Sequence, residues 1–332
     1  MTVLVTGSAG HLGEALMLTL RRAGRDAVGL DVRSSPFTDL VGSIADRAFV
    51  ARSMRGITAV VHAATLHKPH VGTHTRQQFV DTNVTGTLNL LEEAGSAGAR
   101  AFVFTSTTST FGRALVPPEG APAAWITEEV APVPKNIYGV TKVAAEDLCQ
   151  LFQRIQGLPC LVLRTSRFFP EEDDQAGVRD AYDDGNVKAN ELLYRRADIA
   201  DIVDAHLLAL ERAPQIGFGK YIISATTPFS RDDLAELRTD AAAVVRRHVP
   251  AFEEVYSRRG WRMFPGIDRV YVNARAREEL GWQPRYDFGF VMARLERGED
   301  PRSELAREVG AKGYHGPGEA RPYWTRGPTE PA

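Results

Sequence analysis

Cysteine is scarce in this sequence, with 2 residues among 332, Cys149 and Cys160. A single pair in a chain of this length does not make the disulfide framework that stabilises small secreted domains. We therefore expect both thiols to be small, buried side chains.

The sequence also lacks an excess of one charge and any long hydrophobic run. Lys and Arg number 40 against 42 Asp and Glu, which gives a formal net charge of -2, and no basic block stands out. A chain without a basic field is a poor partner for nucleic acid. No apolar run approaches the roughly 20 residues of a membrane-spanning helix, and residues 1–7 lack the basic start of a secretion signal. We expect a cytoplasmic protein with neither nucleic-acid nor membrane partners.

The pattern that is present alternates short β-branched runs with longer amphipathic segments. Such alternation predicts an α/β fold with a parallel sheet and helices on both faces. The predicted strands are residues 3–5, 27–30, 59–62, 102–105 and 160–164, and the predicted helices are residues 13–23, 48–54, 77–97 and 138–153.

The pattern changes after Pro170. Residues 171–185 are acidic and contain glycine, and we predict a loop there that opens a second region. A helix at 199–212 and a strand at 221–224 are then expected to rejoin the first region. From Gly313 the sequence is rich in Gly, Pro and Arg, and an irregular tail is expected over 313–332.

A glycine-rich turn joins the first predicted strand to the first helix. Gly7, Gly10 and Gly13 in TGSAGHLG have the spacing of a dinucleotide-binding loop. The first glycine permits a tight turn, the second a close approach of backbone to a pyrophosphate, and the third close packing of helix on strand. The helix N-terminus would face the phosphates. The alternative is a glycine-rich turn that binds no ligand.

Asp31 ends the second predicted strand, where an acid can bind the ribose hydroxyls of a dinucleotide. Its carboxylate would repel a 2′-phosphate, so NAD is favoured over NADP. Arg33, two residues later, leaves NADP open, and a solvated turn is the alternative role for Asp31.

Tyr138 and Lys142 are four residues apart and share a helix face. A phenol with a pKa of about 10 needs a nearby cation to act as a base at neutral pH, and Lys142 would supply one. Hydroxyl side chains from Thr105 to Ser109 follow the fourth predicted strand, at the carboxyl edge where open α/β sheets bind ligands.

With these motifs the chain resembles the extended short-chain dehydrogenase/reductase family, which includes UDP-galactose 4-epimerase. The resemblance implies a Rossmann doubly wound sheet, a smaller α/β C-terminal substrate domain, NAD as cofactor and a homodimer. The matching elements are TGSAGHLG, VHAAT at 61–65, the helix with Asn83, FTSTTSTFG with Thr107, YGVTK at 138–142 and LGWQP at 280–284.

The resemblance also assigns domains and residues. Residues 1–170, rejoined by about 196–225, would bind NAD; residues 171–195 and 226–312 would bind substrate. The implied catalytic residues are Thr107, Tyr138, Lys142 and Asn83. Besides the three glycines, Asp31, Tyr138 and Lys142, the implied cofactor contacts are His11, Leu12, Ser43, Ile44, Ala63, Ala64, Thr65 and Thr105.

The implied chemistry is hydride transfer at a sugar carbinol carbon. Thr108 and Ser109 stand where the dehydratases of the family carry an Asp-Glu pair, so a 4,6-dehydratase is not expected. A nucleotide-sugar 4-epimerase-like enzyme is the leading expectation. The alternatives are a dehydrogenase or reductase of a free sugar, a sugar acid or another secondary alcohol, and a non-catalytic NAD(H) sensor.

The substrate-binding residues implied are Thr108, Ser109, Arg167 and Arg196. Arg167 replaces the Asn that meets a diphosphate in nucleotide-sugar members, and it suits a phosphate or a carboxylate. A salt bridge to the acidic run 171–174 is the alternative for Arg167. That run is otherwise predicted to be a solvated loop. The stretch 164–171 also bears a weak likeness to uronate dehydrogenases.

Four histidines crowd one segment: His62, His67, His70 and His74. Imidazole is a common metal ligand, but no Cys or acid is interleaved with ligand spacing. We expect no metal there.

Overall fold

A computed structural model gives the structure of residues 1–173 and 175–312. Seven strands form one parallel sheet in the order β3-β2-β1-β4-β5-β7-β8, and β6 and β9 form a separate parallel pair. The strands are β1 Val3–Thr6, β2 Ala27–Asp31, β3 Leu40–Val41, β4 Ala59–His62, β5 Phe102–Thr107, β6 Ala124–Ile126, β7 Cys160–Thr165, β8 Phe218–Ile223 and β9 Arg269–Tyr271.

The helices connect these strands and form the C-terminal region. They are α1 His11–Arg22, α2 Arg47–Ser53, α3 Arg76–Phe79, α4 Gly86–Ser96, α5 Ile137–Gln156, α6 Ala176–Ala181, α7 Asp184–Leu192, α8 Ile199–Ile216, α9 Leu234–Leu237, α10 Ala241–His248, α11 Phe252–Arg259, α12 Ala274–Leu280, α13 Phe288–Glu296 and α14 Glu304–Val309. A π-helical turn covers Val80–Thr85, and 3₁₀ turns cover Lys68–Gly72, Thr108–Phe111, Arg113–Leu115 and Arg231–Asp233.

Both faces of the large sheet are buried, which explains why its strands read as continuous apolar runs. Val3 and Val5 point to the face covered by α1 and α8, and Leu4 points to the face covered by α2, α4 and α5. The predicted Rossmann fold, doubly wound and parallel, is thus confirmed. Cys149 and Cys160 are buried and unpaired, as expected.

The region after β8 has a core of its own. Leu237, Val244, Phe252, Val270 and Phe288 belong to one buried cluster that joins α9, α10, α11, β9 and α13. The helix α8 and the strand β8 belong to the large sheet layer, near the predicted segments 199–212 and 221–224. The division into cofactor and substrate domains stays a prediction, and the predicted tail 313–332 lies outside the described residues.

The helix predicted over 77–97 is present as α3, the π-helical turn and α4 in unbroken succession, with one extra residue accommodated at Val80–Thr85. One prediction about local structure was wrong. The loop predicted over 171–185 contains α6 and the start of α7. Among the described residues, no helix combines the length and hydropathy required to cross a membrane.

Candidate functional site

Parallel strands place their carboxyl ends at one edge of the sheet, and the predicted site residues gather there. β1 leads into the glycine turn, β2 ends at Asp31, and β4 leads to Ala63 and Ala64. β5 ends at Thr107, whose Cα is in register with that of Thr165 at the end of β7. This edge is where open α/β sheets bind ligands.

The glycine turn is too tight for side chains at two positions. Gly7 has φ +77°, and a Cβ there would lie 2.8 Å from the Ala64 backbone nitrogen. A Cβ on Gly13 would lie 1.9 Å from the Gly7 carbonyl oxygen. The Gly7 carbonyl also accepts a hydrogen bond from the Gly10 N–H at 2.9 Å. The first strand, the turn and α1 are therefore in backbone contact, as a pyrophosphate-binding loop requires.

The start of α1 fits an anionic ligand. Gly10 is the N-cap, and because it has no side chain it leaves the first N–H groups of α1 uncapped. His11, the next residue, is buried with its ring stacked on Phe168 at 6.1 Å between centroids. Burial lowers the pKa of His11 to about 4, so its ring is neutral at physiological pH.

Asp31 is held beside this turn. Its Oδ2 accepts from the Ala9 N–H at 3.1 Å and its Oδ1 from the Arg33 N–H at 2.9 Å. A carboxylate held beside the loop in this way could accept the ribose hydroxyls of a dinucleotide. The Arg33 side chain is exposed.

The implied cofactor contacts Ser43 and Ile44 differ in exposure. Ile44 is buried against Gly86, and a Cβ added to Gly86 would lie 2.6 Å from the Ile44 Cδ1. Its carbonyl accepts from the Asn89 side chain at 2.9 Å. Ser43 is exposed, and its Oγ accepts from the Ala45 N–H at 3.1 Å.

Asn83 links the loop after β4 to α5. Its Oδ1 accepts from the Leu66 N–H at 2.8 Å and from the Thr65 hydroxyl at 3.0 Å. Its Nδ2 donates to the Leu66 carbonyl at 2.9 Å and to the Thr141 Oγ1 at 3.0 Å. Asn83 lies in the π-helical turn, whose wider winding directs this side chain inward.

His62 is a structural link. Its Nδ1 lies 2.8 Å from the Thr6 Oγ1 and its Nε2 2.9 Å from the Thr87 Oγ1. Burial holds its pKa well below the usual value, so the ring is neutral. The rings of His67 and His70, and of His70 and His74, pack edge to face. Within 1–173 and 175–312, no three His, Cys, Asp or Glu side chains are grouped as metal ligands.

Tyr138, Thr107 and Lys142 meet between α5 and β5. The Thr107 side chain lies close enough to the Tyr138 hydroxyl to lower the pKa of that phenol. Lys142 donates from Nζ to the Thr105 carbonyl at 2.6 Å, and its ammonium lies 4.0 Å from the centroid of the Phe104 ring. Asn136 caps the helix by accepting from the Gly139 N–H, which starts α5 directly before Tyr138.

Burial moves both ionisable groups of this cluster away from their charged forms. It raises the pKa of Tyr138 to about 12, against the effect of the Thr107 hydrogen bond. It lowers the pKa of Lys142 to about 7. A phenol and an ammonium with opposed shifts in one pocket are typical of a proton-transfer site.

Thr105, Thr108 and Ser109 lie around this cluster with partners of their own. The Thr105 hydroxyl is 2.9 Å from the His206 Nε2. The Thr107 Oγ1 accepts from the Ser109 N–H at 3.1 Å, which starts the 3₁₀ turn. Thr108 is buried and Ser109 is half-buried.

The predicted substrate arginines lie in a network of buried charges. Arg167 NH1 contacts the Asp173 carboxylate at 3.1 Å. Arg196 Nε contacts the Glu191 carboxylate at 2.7 Å, and its NH1 donates to the Phe169 carbonyl at 2.9 Å. The salt bridge considered for Arg167 is therefore present, and substrate contact by either arginine stays a prediction.

Asp173 corrects the prediction that the run 171–174 is solvated. Asp173 is 6% exposed and also contacts Arg195 NH2 at 3.3 Å. Burial by itself raises the pKa of Glu191, but the charges of Arg196, Arg195 and Arg167 outweigh it and hold the value at about 2. Both carboxylates are permanent parts of the network.

Glu146 is the residue near the site that the sequence analysis missed. It is fully buried on α5, where it contacts Arg164 NH2 at 2.7 Å and accepts from the Ser106 hydroxyl at 2.6 Å. The available signal was its position four residues after Lys142, on the helix face that carries Tyr138.

Comparisons with known proteins agree with this geometry. A UDP-glucose 4-epimerase of Rhizobium leguminosarum bv. trifolii is 28% identical over 331 residues, covering 88% of this chain and 95% of that protein. Another, of Streptomyces lividans, is 28% identical over 321 residues, covering 87% of this chain and 93% of that protein.

Solved structures share the fold. A short-chain dehydrogenase/reductase superfamily protein of Agrobacterium tumefaciens with bound NAD matches with a TM-score of 0.62 and 24% identity, covering 93% of this chain and 99% of that one. A Thermotoga maritima UDP-glucose 4-epimerase with UDP-glucose matches with a TM-score of 0.60 and 22% identity, covering 90% of this chain and 99% of that one.

The model of the NAD dependent epimerase/dehydratase family matches residues 3–222. Because that match covers more than half of the chain and includes the glycine turn, Asp31 and the Tyr138 cluster, the protein belongs to the NAD-dependent epimerase/dehydratase family, with NAD as its cofactor.

Proposed function

We propose that the chain is an NAD-dependent oxidoreductase that acts at a secondary alcohol carbon of a sugar, with Tyr138 as the proton acceptor. One observation carries the proposal: Tyr138 and Lys142 are buried one helical turn apart on α5, and Lys142 Nζ donates to the Thr105 carbonyl on the strand that ends at Thr107. The glycine turn and Asp31, which are the proposed cofactor-binding residues, lie at the same edge of the sheet.

Bound NAD supplies the hydride acceptor. The protein supplies the rest of the reaction. Tyr138 takes the proton of the substrate hydroxyl, and Thr107 donates a hydrogen bond to the oxygen on which charge develops. With a pKa of about 12, Tyr138 needs a cation to ionise at neutral pH. Lys142, with a pKa of about 7, supplies that charge while it is protonated. The reverse steps reduce a ketone.

We propose epimerisation as the first form of this activity, since the relatives above are UDP-glucose 4-epimerases. In that reaction the hydride is returned to the opposite face of the same carbon. A 4,6-dehydratase is not proposed, because Thr108 and Ser109 carry no carboxylate for the elimination of water.

A dehydrogenase of a sugar acid is the second candidate, and the arginine network favours it. Arg167, Arg195 and Arg196 contribute three positive charges, and the buried Asp173 and Glu191 remove two of them. The single charge that remains suits one carboxylate better than a diphosphate. The presence of Thr107, Tyr138 and Lys142 together argues against a non-catalytic NAD(H) sensor.

The experiment incubates the protein and its Tyr138→Phe variant with NAD and either UDP-hexoses or free hexuronic acids. Products are followed by NADH absorbance and by chromatography of the sugars. Interconversion without NADH release supports the epimerase, and stoichiometric NADH supports the dehydrogenase. Tyr138→Phe should still bind NAD, but its kcat should fall by a factor of roughly 10²–10⁴. Unchanged turnover in this variant overturns the role of Tyr138.

We also propose a cytoplasmic homodimer in which α5 lies at the interface. Val140, Leu151 and Ile155 on this helix are 50%, 38% and 63% exposed. Their spacing puts them on one helix face, away from the site. Large apolar side chains in a row on an exposed helix are typical of a protein interface.

A further inference from the structure

The helix α5 carries a third ionisable side chain in line with the two that the proposed function uses. Tyr138, Lys142 and Glu146 follow one another at intervals of four residues, so they lie on one helix face. Glu146 is 0% exposed. A buried carboxylate is costly unless it is paired, and here its bonds run to the strands beside the site.

Glu146 is held from three strands. Its Oε1 accepts from the Ser106 hydroxyl at 2.6 Å and from the Arg164 Nε at 3.0 Å, on β5 and β7. Its Oε2 accepts from the Arg164 NH2 at 2.7 Å and lies 3.3 Å from the Lys220 Nζ on β8. The carboxylate therefore fixes α5 to the strands across which the site is built.

The contact with Ser106 is the informative one. Ser106 lies between Thr105, whose carbonyl accepts from Lys142, and Thr107, whose hydroxyl meets Tyr138. The bond from Glu146 to Ser106 thus sets the register between the helix residues and the strand residues of the site. A slip of α5 along β5 would separate both pairs.

We propose that Glu146 is a positioning residue for the proton-transfer pair: it fixes α5 against β5 and holds a negative charge one helical turn from Lys142. The inference rests on the proposed function, because it assigns Glu146 a role through Lys142 and Tyr138. Glu146 itself contacts neither substrate nor cofactor.

The electrostatics agree with the geometry. Burial lowers the pKa of Lys142 to about 7, and the charge of Glu146 works in the opposite direction. Burial raises the pKa of Glu146, but the hydrogen bonds and charge of Arg164 and the charge of Lys220 bring it below its usual value, so the carboxylate is ionised at neutral pH. The other ionisable groups that act on Lys142 or Glu146 are His62 on β4, Cys149 on α5, Arg164 on β7 and Lys220 on β8.

The sign of the expected pH effect follows. Activity that needs cationic Lys142 is present below the pKa of this lysine and is lost as the pH rises through it. Removing the charge of Glu146 lowers that pKa, so the basic limb of the pH profile moves to lower pH. For unit charges at the separation of about 6 Å that is general for side chains four residues apart on a helix, and at an effective dielectric of about 20, the shift is roughly one to two pH units.

The main variant is Glu146→Gln, which keeps the shape and the acceptor for Ser106 but loses the charge. Its matched partner is Ser106→Ala, which removes the hydrogen bond and keeps the charge. We expect Glu146→Gln to shift the basic limb of the pH profile of kcat/KM to lower pH. We expect Ser106→Ala to lower kcat at least about fivefold and to leave the basic limb at its wild-type pH. Glu146→Asp keeps the charge, so its basic limb should lie at the wild-type pH, but its kcat should stay below the wild-type value.

A readout without turnover uses cofactor-free protein labelled at the lysine ε-carbon. The NMR titration of Lys142, assigned through Lys142→Arg, should move to lower pH in Glu146→Gln. It separates this inference from the proposed function, since it is measurable even if no sugar is turned over. An unmoved Lys142 titration in folded Glu146→Gln overturns the charge role, and an unchanged kcat in Ser106→Ala overturns the positioning role. If Glu146→Gln does not fold, Ser106→Ala and Glu146→Asp decide the positioning role by the same kcat criterion.

Discussion

Replacing Gly13 by alanine should distort the cofactor loop although alanine is the better helix former. A Cβ on Gly13 would lie 1.9 Å from the Gly7 carbonyl oxygen, 2.6 Å from its carbon and 2.8 Å from the Ser8 Cα. Ordinary carbon contacts lie at about 3.5–4.0 Å. All three atoms belong to the backbone, so no side chain can rotate away, and the turn itself must move by more than about 1 Å.

The magnitude follows from two opposing terms. Alanine in place of glycine within a helix stabilises it by about 0.5–1 kcal/mol. Overpacking in a close-packed region costs about 1–3 kcal/mol and sometimes more. With backbone as the obstacle we take the upper end, and we expect a net loss of about 2 kcal/mol in the free energy of unfolding. Because the displaced turn is also the pyrophosphate cradle, the Kd for NAD should rise at least about tenfold, the equivalent of about 1.4 kcal/mol.

The assay measures urea unfolding and NAD binding by calorimetry for Gly13→Ala and two controls. Gly177→Ala places a Cβ in the helix α6 where no atom lies within 4 Å, so it should raise the free energy of unfolding by about 0.5–1 kcal/mol and leave the Kd for NAD unchanged. Gly10→Ala places a Cβ 3.2 Å from the Gly7 carbonyl oxygen, so a small adjustment suffices and the stability loss should be smaller. If Gly13→Ala matches Gly177→Ala in both measurements, the reasoning from the backbone contact is refuted.

Three further variants test other parts of the site. Asp31→Ala should raise the KM for NAD by one to two orders of magnitude, since a charged hydrogen-bond acceptor is worth about 1.5–3 kcal/mol. It should also reduce the ratio of kcat/KM for NAD to kcat/KM for NADP. An unchanged ratio would contradict this role of Asp31. Asn83→Ala leaves the Leu66 backbone groups and the Thr141 hydroxyl without this partner. It should lower the free energy of unfolding in urea by about 2–3 kcal/mol and also lower kcat. Wild-type stability would show that the link is dispensable. Ile155→Glu should convert the proposed dimer to a folded monomer in light scattering, and a persistent dimer would move the interface away from α5.

The sequence predicted the strands of the large sheet well because each is a short apolar run buried on both faces. β1 and β4 were located within a residue, and β2, β5 and β7 were extended by one or two residues at the carboxyl end. β3 and the pair β6 and β9 were not predicted. These strands have only two or three residues, and β6 pairs with a partner more than 140 residues away, so no local pattern marks them.

The sequence predicted those candidate site residues that are neighbours on one helix or strand. It missed those whose place in the site depends on contacts with distant parts of the chain. Tyr138 and Lys142 lie together, as their spacing predicts, because they share one helix face, and their catalytic role stays a prediction. Glu146 lies on the same face, but its role depends on Ser106 and Arg164 from two other strands. The sequence also gave no sign that the acids Asp173 and Glu191 would be buried against arginines, since an acidic stretch alone is typical of a solvated loop.

The carboxylate of Asp201 on α8 has a consequence for how the chain folds during synthesis. It accepts from the Arg285 and Tyr286 N–H groups at 3.0 Å, and the Trp282 indole donates to the Asp201 carbonyl at 2.9 Å. The helix α8 in turn packs against α1, and Val309 of α14 closes the same cluster. The helix that follows the glycine turn is thus synthesised long before α14 but is fully packed only after it, so a nascent chain that ends before Val309 should hold its cofactor loop on an unfinished core.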